Sequence, residues 1–203
     1  MTSEKFLAFT LLLASLISWG LILYKIYELW SFNRSLKSLN LQLDLFQKTE
    51  NHSFVDFLEV LPLQGQTSTL IKPIQDLSLS EGQVQLTTKN TLENQGLLLE
   101  KGLSLLSIIA SCAPFVGLLG TVLSIHQALI NIPLLDQSSG IDLLVVPVGE
   151  SLLMTAYGLA VAIPALFAHH LLSRSIYQSK IRLVQTAELL LFLRFDLHES
   201  QKD

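Results

Sequence analysis

Residues 106–132 read LSIIASCAPFVGLLGTVLSIHQALINI, and residues 147–172 read PVGESLLMTAYGLAVAIPALFAHHLL. The first stretch holds no Lys, Arg, Asp or Glu, and the second holds only Glu150. Each exceeds the roughly 20 apolar residues that an α-helix needs to cross a bilayer. They belong to longer runs, Gly102 to Leu135 without charge and Leu143 to Leu172 interrupted only by Glu150. A further uncharged run, Phe6 to Tyr24, reads FLAFTLLLASLISWGLILY. Lipid offers no hydrogen bonds to the backbone, so a spanning segment of this kind must be helical. The pattern predicts an all-α polytopic membrane protein with three transmembrane helices, at residues 6–27, 104–131 and 144–172, extended into the cytoplasm by long helices.

Working outward, the composition agrees. Of 203 residues, 50% are hydrophobic and only 15% charged, with a mean hydropathy of +0.48. Disorder requires the opposite balance, and water-soluble domains carry about a quarter charged residues. A net charge of −4 offers no basic surface to nucleic acid. The single cysteine, Cys112, allows neither an internal disulfide nor a cysteine metal cluster. Lys5 ahead of an apolar run suggests a signal peptide, but no small-residue cleavage site follows. Tyr24-Lys25-Ile26-Tyr27-Glu28 reads as more helix, so the segment is expected to be a retained anchor.

Basic residues set the expected orientation. None lies between Lys101 and Arg174, whereas Lys25, Arg34, Lys37 and Lys48 follow the first span and Arg174, Lys180, Arg182 and Arg194 follow the third. The expected order is an outer tail at 1–5, a cytoplasmic helical loop at 28–103, a short outer loop at 132–143 and a cytoplasmic C-terminal helix at 173–203. Tyr24, Tyr27 and Trp30 around Lys25 make an inner aromatic belt, with the lysine snorkelling.

Leu29, Phe32, Leu36, Leu39, Leu43 and Phe46 step by three and four, the seam of a helix that continues the first span. Leu61-Pro62 and Gly65 are expected to end that helix, and Pro73 and Gly82 to mark turns before another resumes near Gln83. Ile176, Leu183, Leu190 and Leu197 repeat every seven residues, flanked by Val184, Ala187 and Leu191. That seam needs partner helices, from this chain or from neighbouring copies.

Within the spans, Glu150 carries the most information. A carboxylate near the bilayer centre costs roughly 2.5–3.5 kcal/mol and faces protein or water. Two readings stand, a pore-facing group or one wetted from the outer side. Ser151, Thr155, Gly158 and Ala162 form one small-residue stripe; Ala113, Gly117, Thr121, Ser124 and Ala128, with Gly120 beside them, form a second. Such stripes allow close helix packing, and hydroxyls within them can serve a polar path. Glu150 and Thr155 lie about 140° apart on an ideal helix, so they share a lumen only from different edges of it. Pro114 and Pro164 fall inside spans and are expected to kink them, each freeing a carbonyl. His52, His126, His169, His170 and His198 show no ligand spacing, and there is no phosphate loop or nucleophile elbow. No cofactor and no enzymatic activity are expected.

The block APFVGLLGTV (113–122) followed by GESLLMTAYGLAVAIPA (149–165) resembles the ExbB/TolQ/MotA proton-channel family, in wording most its ExbB branch. The close likeness covers about a third of the chain, and the three-span layout is similar over the rest. MotA-type stators have four spans, which this chain lacks. The resemblance implies a bacterial inner-membrane subunit with a periplasmic N-terminus and cytoplasmic C-terminus. It implies a homopentamer, in contact with membrane lipids, whose second and third spans line a lumen. An ExbD-like single-span subunit would occupy the lumen and bring the proton-accepting aspartate. A TonB-like transducer would relay proton-motive force to outer-membrane import of siderophore-iron, cobalamin or similar cargo. By motif position Thr121 and Thr155 correspond to lumen-lining hydroxyls and Glu150 to the acidic residue beside them. Tyr157, bulky beside the small stripe, and His126 near the outer end of the second span depart from the pattern. A TolQ-like subunit of the Tol-Pal envelope system is the nearest alternative; a passive membrane scaffold is the alternative from another class. A solute carrier is disfavoured, because three spans with no inverted repeat lack its architecture.

Overall fold

The structure, a computed structural model, describes residues 3–48, 68–76, 78–131 and 142–200. The turn signals at Leu61-Pro62 and Gly65 and most of the expected 132–143 loop lie outside them. Five helices make up the regular structure of the described residues: α1 (Ser3–Lys48), α2 (Ser68–Gln75), α3 (Glu81–Glu100), α4 (Leu103–Asn131) and α5 (Asp142–Ser200). Three helical stretches are long and apolar enough to cross a membrane, at Lys5–Phe46, Glu81–Ile130 and Val148–Phe195. The all-α, three-span reading is therefore the observed one.

The chain divides into two compact units. The first comprises Met1–Lys25 and Gly102–Leu172, and the second Ile26–Lys101 and Ser173–Asp203. In the first unit small residues carry part of the contact. Leu11 of α1 packs against Ala113 of α4 and Ala162 of α5, with Val116 and Val161 completing the cluster. Phe6, Leu16, Leu23, Phe115, Leu152 and Phe167 are turned outward and exposed. Apolar residues belong on that face if the surrounding solvent is lipid.

The second unit follows the packing rule of water-soluble proteins. Leu29, Phe32, Leu36, Leu39 and Leu43 are all buried along α1, as are Ile176, Leu183 and Leu190 along α5. Leu39, Leu43, Ile71, Ile74 and Leu190 form one cluster, with Phe46 packed on it. Ile176, Leu183 and Leu190 of the seven-residue seam thus find partners within their own chain, whereas the Leu197 side chain lies outside the described residues. Two polar pairs index it. Thr186 Oγ1 lies 2.9 Å from Asn40 Oδ1. Ser179 Oγ lies 2.9 Å from both Asn33 Oδ1 and the Ser175 carbonyl, so its one proton is shared between two acceptors. Both cross-helix pairs are separated by 146 residues, so α1 and α5 run parallel here with a fixed heptad register.

Two expected turns need correction. Pro73 lies inside α2, and Gly82 lies inside the first turn of α3. Asp76 and residues 78–80 lie between the two helices, with Ser78 in a turn. Pro73 is tolerated because α2 has only eight residues, so the missing N–H removes a single bond near its end. The carbonyls left open there are taken by Arg194. Its Nη1 donates to Pro73 and Ile74 at 3.2 and 2.7 Å, and its Nη2 to Asp76 and Leu79 at 3.0 and 3.3 Å. Gly82 sits where helix N–H groups have no intrahelical acceptor in any case. Gln83 Oε1 closes the start of α3 by accepting from the Ser80 N–H at 3.0 Å and hydroxyl at 3.1 Å.

Gly102 separates α3 from α4. The Lys101 N–H closes α3 on the Leu97 and Leu98 carbonyls, and Gly102 then takes φ +90°. An added Cβ would meet nothing closer than 3.7 Å, so glycine is required by the backbone angle and not by space.

Candidate functional site

The two motif stretches meet in the first unit, along α4 and α5. A Cβ added to Gly117 would lie 2.8 Å from the Met154 carbonyl oxygen and 3.1 Å from the Cα atoms of Thr155 and Gly158. One added to Gly158 would lie 2.7 Å from the Ala113 carbonyl oxygen and 3.0 Å from the Gly117 Cα. The two helices touch backbone to backbone at this point, and only glycine fits on either side. Apolar side chains gain nothing by leaving lipid for protein, so close backbone approach supplies the van der Waals contact instead.

Around that contact most of the expected small-residue stripes come together. Ala113, Gly117, Gly120, Thr121 and Ser124 of α4 are buried, as are Ser151, Gly158 and Ala162 of α5. Gly120 faces the Met154 side chain, where an added Cβ would stand 3.0 Å from its terminal methyl. Met154 is the residue that sequence reasoning passed over. It lies at helical spacing between Ser151 and Gly158, and its flexible chain fills the gap that the small residues leave. Pro114 and Pro164 lie inside α4 and α5, half-buried, where the spans were expected to hold them.

The hydroxyls do not cross the interface. Thr121 Oγ1 donates to the Leu118 carbonyl at 2.7 Å, and Ser151 Oγ to the Val148 carbonyl at 2.7 Å. Each proton is committed to its own helix, which leaves the oxygen lone pairs as the chemistry on offer, acceptors for a proton or a donor from elsewhere. Thr155 is half-buried at the edge of the contact and Glu150 is exposed. Taking the direction of Gly158 as the centre of the buried face, Thr155 lies about 60° to one side and Glu150 about 80° to the other. The structure therefore joins the small stripes in one packed seam and leaves Thr155 and Glu150 on its opposite flanks. Tyr157 is exposed on the Glu150 flank. Nearer the end of the unit, the His169 and His170 rings lie 5.6 Å apart and tilted by 54°; the His169 Nδ1 is buried without a hydrogen-bond partner.

The profile of the MotA/TolQ/ExbB proton channel family matches residues 63–184, more than half of the chain. A biopolymer transport protein ExbB from Xanthomonas campestris pv. campestris is 53% identical over 76 residues, 37% of this chain and 30% of that protein. The protein of the same name from Salmonella typhimurium is 30% identical over 194 residues, 91% of this chain and 78% of that one. That from Pseudomonas putida is 30% identical over 205 residues, 95% of this chain and 60% of that one. The matched part thus spans between 30% and 78% of the length of these relatives.

Proposed function

The chain belongs to the MotA/TolQ/ExbB proton channel family, and from that premise we propose that it is the ring-forming subunit of a proton-driven motor in the bacterial inner membrane. In this reading its N-terminus faces the periplasm and its C-terminus the cytoplasm. Five copies surround an ExbD-like single-span partner, and a TonB-like transducer carries the energy to outer-membrane import of siderophore-iron, cobalamin or similar cargo. The relatives' shared name, biopolymer transport protein ExbB, favours this over a TolQ-like role.

One observation carries the reading furthest: the Gly117–Gly158 contact locks α4 and α5 into a pair that leaves Thr155 and Glu150 at its flanks. A rigid pair of this kind can present both groups to a lumen without changing its own packing. Thr155 and Thr121 then supply polar contacts to a proton-bearing partner. Glu150 shapes the charge at the outer end or guides protons and basic partner groups. The proton acceptor itself belongs to the partner.

The test is proton flux into liposomes holding the co-purified complex, followed with a pH-sensitive dye under an imposed potential. Thr155→Val and Glu150→Ala should each abolish energised flux while size-exclusion profiles stay unchanged. Full flux in both variants with intact assemblies would overturn the roles given to these residues.

A further inference from the structure

The second unit carries an apolar stripe that its own packing does not use. Tyr177, Ile181, Val184 and Phe192 of α5 are exposed, and with Glu188 they step along the helix by three and four. The stripe lies roughly 140° round the helix from the buried Ile176, Leu183 and Leu190. Large apolar side chains at this spacing suit a partner helix. α3 has a smaller counterpart. Leu86, Asn90, Glu93 and Leu97 are exposed on the side opposite the buried Val84, Thr88, Gln95 and Leu99, with Lys89 at their edge. Glu188 and Lys89 make no hydrogen bond or ion pair with the described residues.

The two stripes match in height and in charge. Glu100 pairs with Lys180 at 2.6 Å, and Glu81 acts on the Arg194 charge, so α3 runs antiparallel to α5. Counted from these contacts, Leu97 stands level with Ile181, Lys89 with Glu188 and Leu86 with Phe192, each to within about one turn. Copies arranged round an axis along the helices keep every residue at its own height. The α5 stripe of one copy can therefore meet these residues of α3 on the next. The other long helices of the unit fit less well. A second α5 stripe would set Glu188 against Glu188. The outer face of α1 would set Asp44 within about half a turn of Glu188, by the 146-residue register of α1 and α5. Of the three long helices, α3 alone brings a cation to that level, with a leucine on either side of it.

We propose that the α5 stripe of one copy packs on the outer face of α3 of the next, Ile181 and Phe192 against Leu97 and Leu86, with Lys89 and Glu188 paired between them. The two faces differ, so the contact is head-to-tail and repeats round a ring. The proposal names the surface by which the copies recognise one another. It rests on the ring reading above for the side-by-side arrangement and needs nothing of proton conduction.

The experiment uses the full chain with its co-expressed membrane partner, purified in mild detergent and diluted stepwise before native mass spectrometry. Ile181→Asp should raise the concentration at which rings come apart by roughly a hundredfold. Glu188→Lys and Lys89→Glu should each raise it roughly fivefold, and the double variant, its charges exchanged, should return to the parent value. That recovery separates a broken contact from a damaged fold. Lys72→Glu, which reverses an exposed cation outside both stripes, should change nothing. In a Cys112→Ser background, copies with Lys89→Cys co-expressed with copies with Glu188→Cys should form disulfide-linked pairs on oxidation. Copies with Glu188→Cys alone should form none. Undiminished assembly in Ile181→Asp, no recovery in the exchanged pair, or linked pairs from Glu188→Cys alone would overturn the proposal. Rings intact in every variant would remove this surface and leave the flux reading standing. A parent chain that stays monomeric would remove the ring reading along with it.

Discussion

The two units solve the same problem, holding long helices together side by side, with opposite materials. In the first, two glycines bring backbones into direct contact and many of the large apolar residues face outward. In the second, leucines fill the seam, polar pairs set its register and one arginine closes its end. The contrast follows from the solvent. In water, burying a leucine gains transfer free energy, so big side chains go inside. In lipid that gain vanishes, and what remains is contact area, which small residues maximise by getting out of the way. The boundary between the two chemistries falls within continuous helices, at Lys25 on α1 and Leu172 on α5.

The sharpest way to break the comparison is to put a side chain where the first unit has none. Gly158→Val should cost more than roughly 3 kcal/mol, because its Cβ alone would sit 2.7 Å from a carbonyl oxygen that belongs to a helix backbone. Neither neighbour can swing aside, so the helices must part. Gly20, in the same unit, has nothing within 4 Å of an added Cβ. Gly20→Ala should therefore be neutral or stabilising by up to about 1 kcal/mol, through helix propensity alone. Thermal melting of both variants in one detergent decides the matter; a Gly158→Val protein that melts with the parent would remove the backbone-contact account.

The next effect belongs to the second unit. Arg194 is 7% exposed, and burial pulls its guanidinium down from its ordinary value while Asp76 and Glu81 push it back up. Arg194→Gln should cost about 2 kcal/mol, since the carbonyls at the end of α2 lose their donors. Arg194→Lys should recover less than half, because one ammonium cannot span four acceptors laid out for a fork. Hydrogen exchange should show the loss concentrated in residues 68–80, the segment that Arg194 holds. Uniform loosening of the whole chain would count against a local clamp.

Much of this architecture was legible in the sequence, for reasons that differ between the units. The spans announced themselves through missing charge, and the α1 seam through its three-four spacing. The small stripes were legible as stripes, yet whether they packed or lined a path depended on which faces met, which spacing alone does not carry. Pairing Gly117 with Gly158 required the helix offset, a tertiary quantity. Met154 was missed because a large residue inside a small stripe looks like an interruption, whereas here it is the filler. Arg194 was legible only as a charge that orients the chain. Nothing local marks it as the cap of a helix more than a hundred residues earlier, nor explains how Pro73 can remain helical beside it. Asn33 and Asn40 were hidden for a related reason, because a polar residue beside an apolar seam reads as solvent-facing until its partner is known.

The smallest effect probes the turn that Arg194 closes. Asp76 Oδ1 accepts from the Ser78 hydroxyl and, at 3.1 Å, from the Ser78 N–H. Those bonds, the hydroxyl first, hold the carboxyl below its ordinary value of 3.8; burial opposes them weakly, and the Arg194 charge adds a smaller pull in the same direction. The folded state therefore favours the carboxylate more than the unfolded chain does. Its contribution is complete above the ordinary value and is lost as pH falls through the depressed one. Local protection of residues 76–80 should fade below about pH 4, and Asp76→Asn should remove that dependence. Because the hydroxyl contributes most, Ser78→Ala should bring the titration of Asp76 closer to its ordinary position than Arg194→Gln does. If the carboxyl resonance of Asp76 moved further in the arginine variant, the turn would be held by charge from α5 and not by its own hydrogen bonds. The second unit would then depend on long-range electrostatics at the very point where it has been contrasted with the packing of the first.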